Sequence, residues 1–192
     1  SFEFWLPAMR KMREAGCRVE LYQRFKWYRL ARLNNRTHRE LLIVDGQTAF
    51  IGGAGVADHW AKGRRGKRPW RDTMARVTGS VVASIQGVFA ENWVECRGEI
   101  LTGPEYFPDL PKTGSTSAIV VKSSPADRAT ACRVVFHILI ESASSRIRIY
   151  TPYFLPDSVL VRAVQVAALR GVEVDIVLPG RSNVPLMDWA MT

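Results

Sequence analysis

The sequence predicts an α/β protein in which a mixed β-sheet is flanked by helices. Short apolar segments of strand length alternate along the chain with longer segments whose apolar residues recur every three or four positions. The clearest strand–helix–strand pattern lies between residues 146 and 178, and glycine or proline stands at the ends of several segments. Strands that alternate with helices favour a mixed or parallel sheet.

The first segment is predicted to be a helix that leads into a strand. Trp5, Met9 and Met12 are spaced by four and three positions, and Gly16 stands where a helix C-cap glycine belongs. Residues 17–22 then alternate as a strand does. The basic and aromatic residues that follow fit either an exposed loop or a short helix.

A β-hairpin is predicted next. Residues 41–44 are consecutive aliphatic residues, as in a strand that is buried on both faces. Asp45-Gly46 is a strong signal for a tight turn, so residues 48–51 are expected to form the returning strand. Residues 72–77 are a further expected strand.

A helix and a long loop are predicted after these strands. Residues 80–93 place apolar side chains on one helical face, namely Val81, Ile85, Val88, Phe89 and Trp93. Residues 62–69 are too polar for a core element and indicate a surface loop. Residues 98–117 are rich in glycine, proline, serine and threonine, and they are the best candidate for a linker or long loop.

The last part of the chain has a β-α-β pattern. Strands are expected at residues 118–122, 146–150 and 172–178, and a helix at residues 126–143. A second helix is expected to begin after Asp157 or Ser158, either of which can act as its N-cap, and to end at Gly171.

The composition is that of a globular protein with an excess of basic residues. Hydrophobic residues make up 47% and charged residues 23%. The formal net charge of +9 is concentrated in two runs, within residues 24–39 and 62–71. Such an excess favours anionic partners such as phospholipid headgroups, a membrane surface or nucleic acid, although charged runs also occur as solvated faces.

The cysteines favour neither a zinc site nor a redox motif. Cys17, Cys96 and Cys132 are far apart, and no Cys-x-x-Cys pair is present. Free or buried thiols in a reducing compartment are expected instead.

A histidine and an aspartate flank the first strand of the predicted hairpin. His38 precedes the strand, Asp45 follows it, and Gly52 and Gly53 begin a glycine-rich turn. A histidine beside such a turn in basic surroundings can attack or hold a phosphate. Seven positions separate His38 from Asp45, which places them on opposite faces of an ideal strand and makes a direct bond unexpected. Each residue also has a structural alternative, as a hydrogen-bonded histidine and as a turn former.

These residues and several later segments resemble the phospholipase D superfamily, in particular its cardiolipin synthase-like branch. His38 and Asp45 match the first and last positions of the motif His-x-Lys-x-x-x-x-Asp. The further matches follow in order at residues 52–60, 69–73, 89–93, 150–156, 170–174 and 178–181. Together they cover most of residues 5–187.

The resemblance implies an architecture of two half-domains. Residues 1–97 are expected to be a first half-domain that is truncated at its N-terminus, residues 98–117 a linker or long loop, and residues 118–192 the truncated start of a second half-domain. In this family each half-domain supplies a histidine, a lysine and an aspartate to one shared site. The missing second half-domain would therefore come from the same polypeptide or from a second chain.

The resemblance also implies the chemistry. One histidine forms a phosphohistidine, the other protonates the leaving alkoxide, and no metal or other cofactor is required. His38 would be the catalytic histidine and Asp45 its orienting carboxylate. The expected substrate-binding or phosphate-binding residues are Gly52, Gly53, Arg39 and Asp72, although Asp72 has ordinary pairing with an arginine as its alternative.

Two departures from the family pattern bear on activity. Glu40 occupies the position of the motif lysine, where a carboxylate repels a phosphate. Neither His59 nor His137 is followed by lysine two positions later and aspartate seven positions later, so the second motif is absent. We therefore expect this segment to be inactive alone.

Three tryptophans accompany the matched segments. Trp60, Trp70 and Trp93 are candidates for lining a lipid or glycerol site, but their size favours packing in the core.

The resemblance thus implies a phosphatidyltransferase or phosphodiesterase that acts on anionic phospholipids through a phosphohistidine. A location on the cytoplasmic side, peripheral to the membrane, is expected, since the sequence contains neither a transmembrane segment nor a signal peptide. A degenerate, non-catalytic module that binds membranes or other anions is one alternative. The other is a phosphodiesterase acting on nucleic acid, which the tryptophan-rich motifs disfavour.

Overall fold

The computed structural model describes residues 5–22, 38–62, 68–123, 130–152 and 154–178. Contacts divide the chain into two compact units, Ser1–Lys122 and Ser123–Thr192. The first unit contains α1 (Trp5–Glu14), β1 (Leu41–Val44), β2 (Thr48–Gly52), α2 (Asp58–Ala61), β3 (Met74–Thr78) and α3 (Val81–Arg97). The second contains α4 (Thr130–Ser142), β4 (Arg146–Tyr150), α5 (Ser158–Leu169) and β5 (Glu173–Val177).

The end of α1 confirms the predicted glycine cap. Gly16 has a φ of +90°, and its N–H donates to the carbonyl of Arg13 at 2.9 Å. The N–H of Cys17 donates to the carbonyl of Met12 at 2.9 Å, which completes a Schellman motif. The left-handed conformation is the reason that glycine suits this position.

The strand predicted at residues 17–22 is wrong, because the described part of this segment is not paired with a strand. Its charged side chains make the contacts instead. The Arg18 guanidinium donates to Glu99 at 2.7 Å, and Arg97 donates to Glu20 at 2.9 Å. Side-chain bonds to the C-terminal end of α3 therefore hold a segment whose alternation is typical of a strand.

The three strands of the first unit form an antiparallel sheet in the order β1-β2-β3. Val44 pairs with Thr48, and the N–H of Gln47 donates to the carbonyl of Val44 at 3.0 Å. Asp45 and Gly46 have φ values of +53° and +63°, as the central residues of a type I′ turn require. The predicted hairpin is confirmed.

One face of this sheet packs against α3. The core consists of Ala49, Val82 and Ile85, with Leu41, Ile43, Val77, Leu110 and Val120 packed around it. The prediction that residues 41–44 are buried on both faces is wrong, since Leu42 is 59% exposed and Val44 43% exposed. Alternation along β1 sends one set of side chains to the core and the other away from it.

The segment from residue 98 to residue 117 is packed on the first unit. A Cβ at Gly46 would lie 2.7 Å from both Pro108 Cδ and the carbonyl oxygen of Tyr106, and Leu110 reaches the core. The strand predicted at residues 118–122 is wrong, because these residues are not paired into a sheet and Val120 packs on the core of the first unit. The first unit extends to Lys122, beyond the predicted end of the linker.

We expect Gly46→Ala to lower the free energy of unfolding of the first unit by about 3 kcal/mol. A left-handed alanine costs about 1–2 kcal/mol, and the close approach of residues 106–108 adds an overpacking cost of about 1–3 kcal/mol. Gly114→Ala is the matched control, since Gly114 also has a positive φ (+74°) but nothing lies within 4 Å of its Cβ position. Urea unfolding of both variants measures the difference, and equal losses would contradict the contact with residues 106–108.

The second unit confirms the predicted β-α-β pattern between residues 146 and 178. β4 and β5 pair in parallel, with Arg146 opposite Glu173 and Tyr150 opposite Val177. The core of this unit consists of Ile140, Ile147, Ala163, Ala167 and Val172. The Asp157 side chain accepts a hydrogen bond from the N–H of Leu160 at 2.8 Å and so caps α5 as predicted. The α/β fold class is confirmed, with an antiparallel sheet in one unit and a parallel pair in the other.

Candidate functional site

His38 and Glu40 lie directly before β1, and both are exposed. Residues two positions apart in extended backbone point to the same side, and the residue between them points to the other. The structure follows this rule at both Arg39 and Glu40. The first is directed to α3, and the second is directed to the glycine-rich turn.

Arg39 is attached to α3 through one nitrogen of its guanidinium. Nη1 donates to Asn92 Oδ1 at 2.7 Å, to Glu91 Oε2 at 3.2 Å and to the carbonyl of Val88 at 3.3 Å. The structure directs the charge of Arg39 to α3, and the phosphate contact expected of this residue stays a prediction. Its contacts fix the position of the chain just before β1.

Glu91 links this arginine to the end of the first unit. The Lys122 ammonium donates to Glu91 Oε1 at 3.0 Å. This hydrogen bond, together with the nearby charge of Arg39, lowers the pKa of the Glu91 carboxyl below its usual value. Glu91 is thus ionised at neutral pH, which keeps its attraction for Arg39.

We expect Arg39→Ala to lower the free energy of unfolding of the first unit by about 2 kcal/mol. Its side chain is only 20% exposed, and its removal takes the charged donor from Asn92 Oδ1 and one of two charged donors from Glu91. Arg148→Ala is the matched control in the second unit, because Arg148 is 67% exposed and pairs with Asp175 at 3.4 Å. An exposed pair of this kind contributes about 0–1 kcal/mol. Amide hydrogen exchange at β1 and β4 measures both changes, and an equal effect of the two substitutions would contradict the anchoring role of Arg39.

Glu40 lies against the glycine-rich turn that follows β2. The N–H of Gly52 donates to the carbonyl of Glu40 at 3.4 Å. Both carboxylate oxygens of Glu40 lie 3.3 Å from the point where a Cβ at Gly55 would stand. The absence of a side chain at Gly55 therefore leaves room for the carboxylate beside the turn.

Asp72 approaches the same turn from the segment before β3. Its Oδ2 occupies the position that a Cβ at Gly53 would need, and its Oδ1 accepts from the N–H of Thr73 at 2.6 Å. A Cβ at Gly52 would likewise collide with Met74 and with the carbonyl of Thr73. Gly52 and Gly53 thus permit close approach of the strand and segment beside them, and the structure brings Asp72, Glu40 and the turn together.

Asp45 lies at the other end of β1 from His38, in the hairpin turn. Seven residues of extended chain span about 23 Å. The structure places Asp45 in the hairpin turn at the end of β1 that is far from His38, and the roles predicted for the two residues in catalysis stay predictions. With its positive φ, Asp45 acts in this structure as a turn former.

Two contributors to this region were missed in the sequence, Glu91 and Asn92 as anchors of Arg39. The signal was present, because positions 88, 91 and 92 share one helical face and include both polar residues. The approach of Glu40 to Gly55 has no local sequence signal, because it depends on how the hairpin folds back.

Of the tryptophans predicted to pack in the core, one is buried and another is exposed. Trp93 is 8% exposed and packs in the core, as expected. Trp70 is 53% exposed, so its predicted burial is wrong. Its ring meets that of Trp60 edge-on, with centroids 5.4 Å apart. This pair lies at the surface because the segment from residue 68 to residue 74 is exposed throughout.

The described ranges contain no group of three or more His, Cys, Asp or Glu side chains arranged to hold a metal ion. Within the same ranges, each helix is too short or too polar to cross a membrane. The groups that the structure places in this region are an exposed histidine, a glycine-rich turn and the carboxylates of Glu40 and Asp72.

The other two histidines, His59 and His137, lack the motif spacing. His59 lies in α2. His137 lies on α4, where its Nε2 is 3.1 Å from Glu141 Oε1. It lines a cavity of about 320 Å³ together with Ser158, Arg162 and Arg170, which contains none of the residues predicted for catalysis.

Comparisons with known proteins agree on one family. Residues 137–192 match the family model described as "Cardiolipin synthase, PLD-like domain". Cardiolipin synthase A of Pseudomonas fluorescens (strain SBW25) is 37% identical over 176 residues, which are 91% of this chain and 36% of the relative. Cardiolipin synthase A of Pseudomonas putida (strain W619) is 36% identical over 181 residues, which are 93% of this chain and 37% of the relative.

The similarity spans both units, although the family model matches only the second. A third relative, cardiolipin synthase A of Pseudomonas syringae pv. syringae (strain B728a), is 36% identical over 90% of this chain and 36% of its own length. The chain thus spans little more than a third of the length of these relatives. No solved structure matches it significantly. The resemblance carried by His38, Asp45 and the later segments is confirmed, and the chain belongs to the cardiolipin synthase-like branch of the phospholipase D superfamily.

Proposed function

We propose that this protein is part of a phosphatidyltransferase that moves a phosphatidyl group from an anionic phospholipid to an alcohol. The observation that carries the proposal is that His38 is exposed and lies two residues before Glu40, whose carbonyl and carboxylate lie against the turn formed by residues 52–55. The relatives' name supports the substrate class, since cardiolipin synthesis is a transfer between phospholipids. A hydrolase, in which water replaces the alcohol, would use the same site.

The reaction is proposed to proceed in two displacements. An imidazole nitrogen of His38 bonds to phosphorus while the bond from phosphorus to the leaving alkoxide breaks, and the alkoxide takes a proton from a second histidine. The acceptor alcohol then gives its proton to that second histidine and attacks phosphorus, which releases His38. The second histidine would come from another half-domain, either in the same polypeptide or in a second chain, so the segment alone is proposed to be inactive.

The attachment of Arg39 to α3 supports this arrangement. Because Arg39 is directed to α3, His38 and Glu40 are directed to the opposite, exposed side. We propose Arg39 as a positioning residue that holds the imidazole where a phosphate can approach it. Asp72, beside Gly53, is proposed to shape the same approach.

Glu40 is the feature that opposes catalysis in this proposal. The lysine of the family motif would bind phosphoryl oxygens as their charge develops, whereas the Glu40 carboxylate repels them. A phosphate at the turn near Gly55 would meet this carboxylate directly. Low activity in the natural sequence is therefore part of the proposal.

The test is covalent trapping. The full-length gene product is incubated with an anionic phospholipid labelled in its phosphate and is then quenched in alkali, where phosphohistidine survives. Label on residue 38, located by mass spectrometry in the natural protein or in Glu40→Lys, is the expected result. Absence of label at residue 38 in both proteins overturns the enzymatic proposal.

Glu40 also favours a second candidate function. A degenerate module that binds anionic surfaces through its basic runs needs no phosphate at His38 and tolerates a carboxylate at position 40. Vesicle binding that is unchanged in Glu40→Lys, together with no label on residue 38, would select this function over the first.

A further inference from the structure

An apolar surface lies beside the glycine-rich turn of the first unit. Val56 is fully exposed at 102%, Trp70 is 53% exposed and Met74 is 42% exposed. The rings of Trp60 and Trp70 are in contact, and their planes are at 89° to each other. They therefore form an edge-to-face pair rather than a parallel stack. Single exposed apolar residues are ordinary, but an aromatic pair and an uncovered aliphatic residue within one short region are not.

Basic side chains border this apolar surface. Lys62, Arg68 and Arg71 are exposed, and none of them forms an ion pair with a residue in the described part of the chain. Between Asp58 and Asp72 the sequence contains six basic residues and only those two acidic ones. The region therefore combines an exposed indole ring, that of Trp70, and the partly buried ring of Trp60 with an excess of positive charge.

The surface is continuous with the candidate site. Asp72, two positions after Trp70, lies against Gly53, and Glu40 lies against Gly55, next to Val56. A binding partner that covers Val56 and Trp70 would thus lie close to the glycine-rich turn, which the phosphate of the substrate is proposed to approach.

We propose that Val56, Trp60 and Trp70, bordered by Lys62, Arg68 and Arg71, dock the protein onto the headgroup region of an anionic lipid membrane. The proposal rests on the proposed function, in which the substrate is a phospholipid. Indole rings favour the boundary between headgroups and acyl chains, where the ring is apolar and the N–H remains hydrated. Basic side chains at that depth keep their aliphatic stems in the apolar layer and their charges among anionic headgroups.

Charge complementarity distinguishes this occupant from others. A protein partner of ordinary charge would not require, around an apolar centre, basic residues that form no ion pair within the described part of the chain. Nucleic acid would use the basic residues but would leave Val56 uncovered, because phosphate contacts dominate its binding. A membrane can bind both parts of the surface, because its apolar layer covers the apolar residues and its anionic headgroups pair with the basic residues. Interfacial membrane anchors combine the same two interactions.

The experiment measures binding of the full chain to vesicles of phosphatidylglycerol and phosphatidylcholine, and to vesicles of phosphatidylcholine alone, by sedimentation. Trp70→Ala is expected to weaken binding to the anionic vesicles about tenfold, and Val56→Ser about threefold. Each of Arg68→Gln and Arg71→Gln is expected to weaken it about fivefold. Leu169→Ser is the matched control, because Leu169 is 83% exposed but lies on the second unit, and it should bind as the natural protein does.

The outcomes separate this proposal from the proposed function. Since Val56 is fully exposed, Val56→Ser tests docking even where Trp70→Ala proves unstable by circular dichroism. Unchanged binding of both variants overturns the docking surface, and so does equal affinity for the two vesicle types or tighter binding to duplex DNA at the same salt concentration. Labelling of His38 in the full-length gene product, carrying Glu40→Lys, by a short-chain phospholipid in monomeric solution tests the chemistry without a membrane. Docking variants should keep that labelling, whereas a failed proposed function would abolish it in every protein.

Discussion

Replacing His38 with alanine is expected to abolish phosphatidyl transfer, with a loss of at least about 10⁴-fold in kcat/KM. In the proposed reaction the imidazole forms the covalent bond to phosphorus, and nucleophile substitutions cost this much or more because no other group can take the role. His38 is exposed before β1, and its ring is available to a substrate. The measurement is the initial rate of transfer from labelled phospholipid by the full-length gene product, in the Glu40→Lys background where the signal is largest.

His137→Ala is the control for this prediction. His137 lies on α4 with Glu141 and is outside the family motif. Its replacement should leave the rate within about threefold of the parent protein. A His38→Ala protein that retains a tenth or more of the parent rate would contradict the assignment of His38 as the nucleophile, since such a residue cannot be dispensed with.

Glu40→Lys is expected to raise kcat/KM by about 10²- to 10³-fold. A donor that stabilises developing negative charge contributes about 3–4 kcal/mol to the transition state, and the natural carboxylate supplies repulsion instead. The geometry favours this result, because the carboxylate lies beside Gly55 and a lysine there would extend along the same turn. The rate is measured over a series of substrate concentrations, so that kcat and KM are separated.

Two further variants identify the cause of the gain. Glu40→Gln removes the negative charge without adding a positive one, so its rate should lie between those of the natural protein and Glu40→Lys. Glu105→Lys makes the same change of net charge at another exposed glutamate of the first unit and should leave the rate unchanged. Equal gains in Glu40→Lys and Glu105→Lys would show that net charge, rather than the motif position, controls the reaction.

Local features of the fold were predictable from the sequence. Asp45-Gly46 makes a turn because both residues take positive φ, which few other dipeptides accept. Gly16 ends α1 and Asp157 begins α5 for equally local reasons, since each acts through backbone groups within five positions of itself. The turn and the two helix caps need no partner that is distant in the sequence. The identities of a few neighbouring residues therefore determine them.

The failures concern features that depend on distant partners. Residues 17–22 and 118–122 alternate as strands do, but a strand exists only where a neighbouring chain offers its backbone groups. In the first unit these segments meet side chains of α3 and the core instead. The exposed side of β1 is a similar case, because consecutive aliphatic residues do not reveal whether one face or two will be covered.

The candidate site divides in the same way. His38, Glu40 and the glycines at positions 52 and 53 were identified from their order in the sequence, and the family followed from that order together with the later segments. The sequence alone determined that Glu40 replaces the motif lysine and that Asp45 and His38 fall on opposite faces of an ideal strand. Only the tertiary structure decided that Arg39 is directed to Glu91 and Asn92, while Glu40 faces Gly55 and Asp72 faces Gly53. The physical reason is that alternation defines two sides of a strand, but the helix and turn that fold against those sides determine which one carries the chemistry.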